Sequence, residues 1–137
     1  MGLYLCIFEN DQDVDGVEIG PYADFNALRD YVVREFERGT AGSRFPTLIL
    51  HSDCDGEWAV GDCEKLRDEL SQIASLMKGF PRVGFVSDWQ KAVAKSIGLE
   101  PQNAFESFID VDGEFLVGRL QLLVDNALKR KLPISFQ

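Results

Sequence analysis

Apolar residues along the chain follow a few regular spacings, and each spacing predicts one type of secondary structure. Unbroken apolar runs at 3–8 (LYLCIF) and 47–50 (TLIL) have the length of strands that are covered on both faces. Residues 105–111 (FESFIDV) alternate as a half-buried strand does. Residues 133–136 (PISF) predict an edge strand with Pro133 at its first position. The pattern therefore predicts about four strands.

Apolar residues at intervals of three and four predict helices between these strands. The stripes are Phe25, Leu28, Val32 and Phe36, ending near Gly39; Leu66, Leu70, Ile73 and Met77, ending at Gly79; and Leu116, Leu120, Leu123, Val124 and Ala127, ending in the basic residues Lys129, Arg130 and Lys131. A further helix is expected to begin at the capping box Ser87-Asp88-Trp89-Gln90 and to stop at Gly98.

Helices interspersed among strands predict an α/β (α+β) fold. We expect a central mixed sheet of about four strands with about four helices packed on it. The chain has 137 residues, of which 45% are hydrophobic, and it contains no Pro/Gly/Ser-rich linker. Residues 1–137 are therefore expected to form a single domain with a proper core.

Acidic residues are concentrated in three windows of the chain. Residues 1–20 hold five Asp or Glu, residues 51–64 hold five and residues 106–114 hold four, so these windows contain 14 of the 23 acids. None of them contains Lys or Arg, whereas the remaining residues carry 14 bases against 9 acids. The net charge of −9 is therefore a local property of three segments.

Each acidic window contains an Asp-x-Asp-Gly string. The strings are Asp13-Val14-Asp15-Gly16, Asp53-Cys54-Asp55-Gly56 and Asp110-Val111-Asp112-Gly113. Gly accepts positive φ and Asp bonds its own backbone, so strand-exit turns explain the strings locally. If the preceding strands run parallel, the turns also gather at one end of the sheet, where they form one negative surface that orients a basic partner.

The candidate partner-binding residues are the acids of this expected surface and one tryptophan. Trp is enriched among residues that carry interface energy, and Trp58 follows the second turn directly, although core packing explains a tryptophan equally well. The set is Asp11, Asp13, Asp15, Glu18, Asp53, Asp55, Glu57, Trp58, Asp110, Asp112 and Glu114. We assign no catalytic residue, no metal ligand and no cofactor.

Two metal sites are alternative interpretations of the same windows. Asp11-x-Asp13-x-Asp15-Gly16 matches the first half of a calcium loop, but the twelfth position is Tyr22, where a Glu is needed. A zinc ion is the second possibility, although the spacing matches no common zinc motif; its ligands would be His51, Cys54 and Cys63, with Asp53 or Asp62 as the fourth.

An enzyme is the alternative function from another class. His51 is the only histidine, so any Ser/His/Asp or Cys/His arrangement has to include it, and a small metal-dependent enzyme would use the Asp/His51 cluster. A lone His at the end of a strand is more often a hydrogen-bonded structural residue. A regulatory protein-binding domain is a third possibility.

The charge and the cysteine count disfavour several partners and compartments. A net charge of −9 disfavours nucleic acid and anionic membranes, because both are bound through clustered Lys and Arg. Three cysteines without a C-x-x-C pair indicate reduced thiols. The first residues have neither a basic n-region nor an apolar run of spanning length. We therefore expect a cytoplasmic protein.

Six strings along the chain carry a family resemblance. They are MGLYLCIF (1–8), DVDGVE (13–18), GPYADF (20–25), SRFPTLILHSDCDGEW (43–58), SFIDVDGE (107–114) and PISFQ (133–137). The long string that ends at Trp58 is the specific part, because Asp-Gly turns alone are common. On these strings the chain resembles the immunity protein 70 family of bacterial polymorphic toxin systems. Residues 78–104 carry no part of the resemblance.

The resemblance implies a cytoplasmic inhibitor that is encoded beside a secreted toxin and binds it, so that the producing cell and its kin survive contact-dependent competition. It implies no catalytic residue, and it supplies no set of contact residues. The expected partner is a cognate toxin domain with a basic face, such as the substrate channel of a nuclease. The oligomeric state is left open.

Overall fold

The computed structural model describes residues 2–85 and 87–137. The elements follow in the order β1 (Leu3–Glu9), β2 (Gln12–Gly20), α1 (Tyr22–Phe36), α2 (Pro46–Ile49), β3 (Glu57–Trp58), α3 (Val60–Lys78), α4 (Asp88–Ile97), a 3₁₀ turn (Phe105–Ser107), α5 (Leu116–Arg130) and β4 (Ile134–Phe136). The helices predicted from the three apolar stripes are confirmed as α1, α3 and α5. None of the helices in the described ranges is long and apolar enough to cross a membrane.

The strands form one sheet in the order β2-β1-β4-β3. The predicted α/β class, with about four strands and helices packed on the sheet, is confirmed. The pairings β1–β2, β1–β4 and β4–β3 are all antiparallel, which differs from the mixed sheet predicted. The strand predicted at 133–136 is an inner strand and not an edge, because β3 pairs with its far side.

A two-residue turn at Asn10 and Asp11 connects β1 to β2. Both residues have positive φ, 54° and 63°, which Asn and Asp tolerate better than other residues with a Cβ. The chain therefore reverses before the string Asp13-Val14-Asp15-Gly16, which lies inside β2. The prediction of a turn at this string is wrong.

The apolar run at 47–50 forms the helix α2 and the loop after it, so the predicted inner strand is wrong. Pro46 stands in the first turn, where a missing N–H is tolerated. Glu69 of α3 accepts hydrogen bonds from two N–H groups of this turn at 3.0 and 3.1 Å. Arg29 of α1 donates to three carbonyl oxygens at and after its C-terminal end. Tertiary hydrogen bonds thus override the local strand propensity.

Residues 105–111 form a 3₁₀ turn and a short bridge, so the strand predicted there is also wrong. Asn103 Oδ1 accepts the N–H of Glu106 at 3.0 Å, which starts a helical turn at Phe105. Ile109 then pairs with Phe115 across the third acidic string. The apolar residues Phe105, Phe108 and Ile109 are buried, but they lie on the turn, after it and on the bridge, and not on a pleated strand.

The helix α4 begins and ends as predicted, but the capping box is absent. Ser87 Oγ donates to Asp24 Oδ2 at 3.4 Å, and Gln90 Nε2 donates to the carbonyl of Ile109 at 3.3 Å. Both side chains therefore bind α4 to other parts of the chain instead of capping it. Gly98, with φ of 70°, follows the last turn in the left-handed conformation that favours glycine.

The sheet buries one face against the helices. Leu3, Leu5 and Ile7 of β1 are fully buried and belong to one core with residues of α1, α3 and α5. Successive side chains of a strand point to opposite faces, so Tyr4 and Phe8 lie on the other side of the sheet. Phe8 is 39% exposed there.

Candidate functional site

The three acidic windows do not gather at one end of the sheet. Because the strands are antiparallel, the parallel arrangement that would have brought the turns together is absent. The first window lies on β1 and β2, and the third reaches the outer edge of β2, where the Val111 N–H donates to the Glu18 carbonyl at 3.1 Å. The second window lies at β3, roughly 14 Å away across three strand spacings. The expected single surface of turns is therefore wrong in its geometry.

A different arrangement brings acids of the first window together on the uncovered face of the sheet. Directly paired residues of antiparallel strands point to the same face. Tyr4 pairs with Glu18, and Phe8 pairs with Asp13, so both carboxylates lie on the side away from the core. Asp13 and Glu18 are exposed.

A β-bulge at Val14 determines which acids reach this face. The register passes from Ile7 opposite Asp15 to Phe8 opposite Asp13, which leaves Val14 as the extra residue of β2. Without the bulge, Asp13 and Asp15 would share a face because they are two residues apart. With it, Asp13 joins Glu18, whereas Asp15 points to the helices and accepts a hydrogen bond from Asn126 at 2.9 Å.

The second window contributes Glu57 to the same face. Cys6 pairs with Gly16 on one side and with Ser135 on the other, and Ser135 pairs with Glu57. This row crosses all four strands, so its side chains share the face of Tyr4 and Phe8. We call this side of the sheet the open face; its residues are Tyr4, Cys6, Phe8, Asp13, Gly16, Glu18, Glu57 and Ser135. All of them except Cys6 are exposed or partly exposed.

Tyr4 is held in one position on the open face. Its hydroxyl donates to Asp13 Oδ2, and its ring lies where a side chain at Gly16 would be. Burial and then the hydrogen bond to Asp13 raise the pKa of Tyr4 well above its ordinary value. Burial and then the charge of Asp13 raise the pKa of the neighbouring Cys6 thiol to about 11. In both groups burial is the larger cause, and the nearby Asp13 carboxylate adds to it.

The loop of the second window is fixed by α1 and by His51. Asn26 donates to Asp53 at 2.8 Å, and this hydrogen bond lowers the pKa of that carboxyl. His51 stacks on Phe136 with ring centroids 4.2 Å apart, and its two nitrogens lie 2.7 and 2.9 Å from backbone carbonyl oxygens. Asp55 and Glu57 remain exposed. The turn at Gly56, with φ of 83°, is as predicted.

Trp58 lies beneath the surface of the second window. It is 1% exposed, belongs to the core and donates from Nε1 to the Thr47 carbonyl at 3.0 Å. A shallow pocket of about 290 Å³ lies beside it, lined also by Asp62 and Lys65. Trp58 can therefore support a contact surface in this structure but does not itself present one.

In the third window, Asp110 is a structural residue. It is 1% exposed and accepts hydrogen bonds from the N–H groups of Asp112 and Glu114 at 2.9 and 3.0 Å. Arg119 lies 3.4 Å from its second oxygen, yet burial is the larger effect and raises the pKa of the carboxyl. Asp112 and Glu114 are exposed, and Gly113, with φ of 82°, completes the predicted turn.

Three buried carboxylates outside the predicted set also organise loops. Glu37 accepts three backbone N–H groups of residues 42–45 at 2.8 to 3.0 Å, and Glu69 accepts two at the start of α2. Asp24 accepts the indole N–H of Trp89 at 2.8 Å. An acid on the apolar side of a helix is a sequence signal for such a residue, and Glu69 shows it, because it lies three residues after Leu66 and four before Ile73.

The structure does not bring together the candidate ligands of the calcium site or of the zinc site. Asp13 and Asp15 point to opposite faces of the sheet, so the carboxylates of the calcium string do not converge. The Cys63 thiol is buried against the Trp58 carbonyl, and burial raises its pKa to about 11, which disfavours the thiolate that zinc requires. Within residues 2–85 and 87–137, no three His, Cys, Asp or Glu side chains are close enough to hold an ion.

Comparison with known proteins finds one family whose model matches nearly the whole chain. A family model described as immunity protein 70 matches residues 3–136, which is nearly the whole chain and includes residues 78–104. No curated protein and no solved structure matches the chain significantly. The resemblance seen in six separate strings therefore extends over all the elements of the fold.

Proposed function

The chain belongs to the immunity protein 70 family, which implies an immunity protein against a toxin, and we propose that it neutralises one cognate secreted toxin through its acidic surface. The partner in this proposal is a basic toxin domain, and a nuclease is the preferred class. The protein acts in the cytoplasm as an inhibitor, without catalytic residues or cofactor.

The observation that carries this proposal is the concentration of exposed acids in three segments of the chain. Nine carboxylates of the three windows are exposed, seven of them belong to the predicted contact residues, and the windows contain no Lys or Arg. The seven are Asp11, Asp13, Glu18, Asp55, Glu57, Asp112 and Glu114. Of the remaining predicted contact residues, Asp15 and Asp53 are partly exposed, whereas Trp58 and Asp110 are buried and support the surface from below.

Clustered carboxylates favour a cationic partner in two ways. Their summed field steers a positively charged protein and accelerates its association, and like charge repels anionic competitors. A nuclease must present a basic channel to bind the phosphates of its substrate. An acidic protein that occupies such a channel excludes the substrate by charge and by volume, which supports a nuclease as the toxin.

The test compares charge reversal inside and outside the windows. Asp55→Lys with Glu57→Lys changes two exposed acids of the second window, and Asp68→Lys with Asp125→Lys makes the same change in net charge on the exposed sides of α3 and α5. Association with the toxin domain encoded by the neighbouring gene is measured at several salt concentrations.

We expect the window variant to associate about tenfold or more slowly and with a weaker dependence on salt, and the control variant to keep most of its rate. Equal effects of the two variants would show that only net charge matters and would overturn the acidic surface. The absence of any binding by the unmodified chain would overturn the proposed inhibition itself.

A further inference from the structure

Building on the proposed function, we infer that the open face of the sheet is the docking face, and that it takes an apolar side chain flanked by Arg or Lys from the toxin. Tyr4 and Phe8 form its apolar centre, and Asp13, Glu18 and Glu57 form its charged rim. The inference adds a location and a contact chemistry to the proposed inhibition, and it can fail while that function stands.

The open face combines exposed aromatic area with charge of one sign. Phe8 is 39% exposed and Tyr4 is partly exposed; both lie on this side of β1, with the buried Cys6 between them. The sequences of the four strands, LYLCIFE, QDVDGVEIG, EW and ISF, contain no Lys or Arg. An aromatic centre with a polar rim is the usual anatomy of a protein interface. Here the rim is entirely acidic, so the complementary partner is basic.

Tyr4 is already fixed before any partner binds. Its hydroxyl donates to Asp13, and its ring packs over Gly16, which has no side chain to displace it. A side chain that is ordered in advance loses little conformational entropy on binding, so it contributes more of its contact energy to affinity. A guanidinium group placed on the Tyr4 or Phe8 ring would also lie close to the rim carboxylates, which combines cation–π attraction with ion pairing.

The charge of this face argues against a second copy of the chain as the occupant. A symmetric dimer places the same patch against itself, so the rim acids Asp13, Glu18 and Glu57 would meet one another. Like charges across an interface cost affinity. A basic partner meets no such repulsion, so we expect a basic protein on this face and not a second copy of the chain.

Hydrogen bonds already occupy three backbone carbonyls at the two sheet edges, which favours docking on the face over docking at an edge. On β2, Arg119 donates to the Gly16 carbonyl and the Val111 N–H donates to the Glu18 carbonyl, each at 3.1 Å. At β3, the Glu57 carbonyl lies 2.9 Å from His51 Nε2. A toxin segment that adds a strand to the sheet would have to break these contacts first.

The experiment measures affinity for the inactivated toxin domain encoded by the neighbouring gene. Phe8→Ala removes the exposed aromatic ring, and Phe8→Lys replaces it with a positive charge that repels a basic partner. Leu122→Ala is the matched control, because Leu122 is 62% exposed on α5 at the helical side. Thermal unfolding of each variant establishes that the fold is retained. Toxin-dependent protection of Tyr4 and Phe8 from hydroxyl radicals provides a second readout.

We expect Phe8→Ala to weaken binding about tenfold or more, Phe8→Lys to do so at least as strongly, and Leu122→Ala to leave it within about threefold. Tyr4 and Phe8 should become protected in the complex. Loss of affinity in Leu122→Ala together with unchanged affinity in both Phe8 variants would place the toxin on the helical side and overturn the inference. In that outcome the proposed inhibition stands, because the unmodified chain still binds the toxin.

Discussion

Glu69 and Arg29 bind opposite ends of the same short helix. The Glu69 carboxylate accepts N–H groups of Thr47 and Leu48 at the start of α2, and the Arg29 guanidinium donates to the Leu48 and Ile49 carbonyls at its end. An anion at the N-terminus and a cation at the C-terminus both complement the helix dipole. A helix of four residues is unstable alone, so these two side chains hold α2 and, through it, the loop of the second acidic window.

The first prediction concerns the stability that Glu69 supplies. Glu69→Ala leaves two N–H groups without acceptors in a largely buried position, so the free energy of unfolding should fall by about 2 kcal/mol or more. Urea unfolding measures the loss. Glu64→Ala, on the exposed side of the same helix, should change it by less than about 0.5 kcal/mol. Equal effects of the two substitutions would show that the hydrogen bonds to α2 contribute nothing.

The second prediction concerns pH and Asp24. Burial raises the pKa of Asp24 above its ordinary value of 3.8, although hydrogen bonds from Trp89 and Ser87 act in the opposite direction. The folded chain therefore holds this proton more tightly than the unfolded chain, and ionisation of Asp24 opposes folding as the pH rises from about 4 through the raised pKa. Asp24→Asn removes this titration, so the stability of the variant relative to the parent should increase with pH over that interval.

Urea unfolding of parent and variant from about pH 4 to about pH 7 measures this difference. Asp110 titrates in both proteins, so its contribution cancels in the comparison. Asp88→Asn, which changes an exposed acid at the start of α4, should show no such trend. A relative stability of Asp24→Asn that falls with pH would mean that the hydrogen bonds from Trp89 and Ser87 outweigh burial.

The third prediction concerns the packing of Tyr4 on Gly16. A Cβ at Gly16 would overlap the Tyr4 hydroxyl, so Gly16→Ala should move the phenol away from Asp13. The pKa of Tyr4 should then fall toward its ordinary value of 10. Titration of phenolate absorbance measures the change, and Tyr4→Phe identifies which part of the curve belongs to Tyr4. Gly61→Ala is the control, because a Cβ there meets no atom within 4 Å.

The fourth prediction concerns the three thiols. Cys54 is exposed, whereas Cys6 and Cys63 are buried and their pKa values are raised to about 11, mainly by burial. A thiol reagent should therefore modify one cysteine per folded chain quickly and all three after unfolding. Cys54→Ser should abolish the fast reaction. Fast modification of a second cysteine in the folded chain would contradict the buried positions of Cys6 and Cys63.

Much of the fold follows from apolar spacing, because most helices and β1 owe their form to one continuous stripe or run. The helices α1, α3 and α5 and the strand β1 are of this kind. The run at 47–50 is different, because its helical form depends on Glu69 and Arg29, which are distant in sequence. Residues 105–111 alternate, but the Asn103 side chain starts a turn there. No local pattern reveals the contacts of Glu69 and Arg29, whereas the Asn103 turn is a local signal that competes with the apolar alternation.

The candidate site was predictable in composition but not in arrangement. The three acidic windows are visible in the sequence, and so are the turns at Gly56 and Gly113. The sharing of a face by Asp13, Glu18 and Glu57 depends on strand register and on the bulge at Val14, which no local pattern fixes. The pairing of Asp110 with Arg119 of α5 is likewise a contact that no local pattern reveals.

The position of β4 between β1 and β3 has a consequence for the order of folding. Residues 134–136 are synthesised long after the other three strands, and β3 has no neighbouring strand until they emerge. Until β4 is synthesised, β1 of the β1–β2 hairpin has an unpaired backbone edge. Such an edge can pair with other chains and lead to aggregation. Slow closure of the sheet through contacts distant in sequence is the physical cost of this topology.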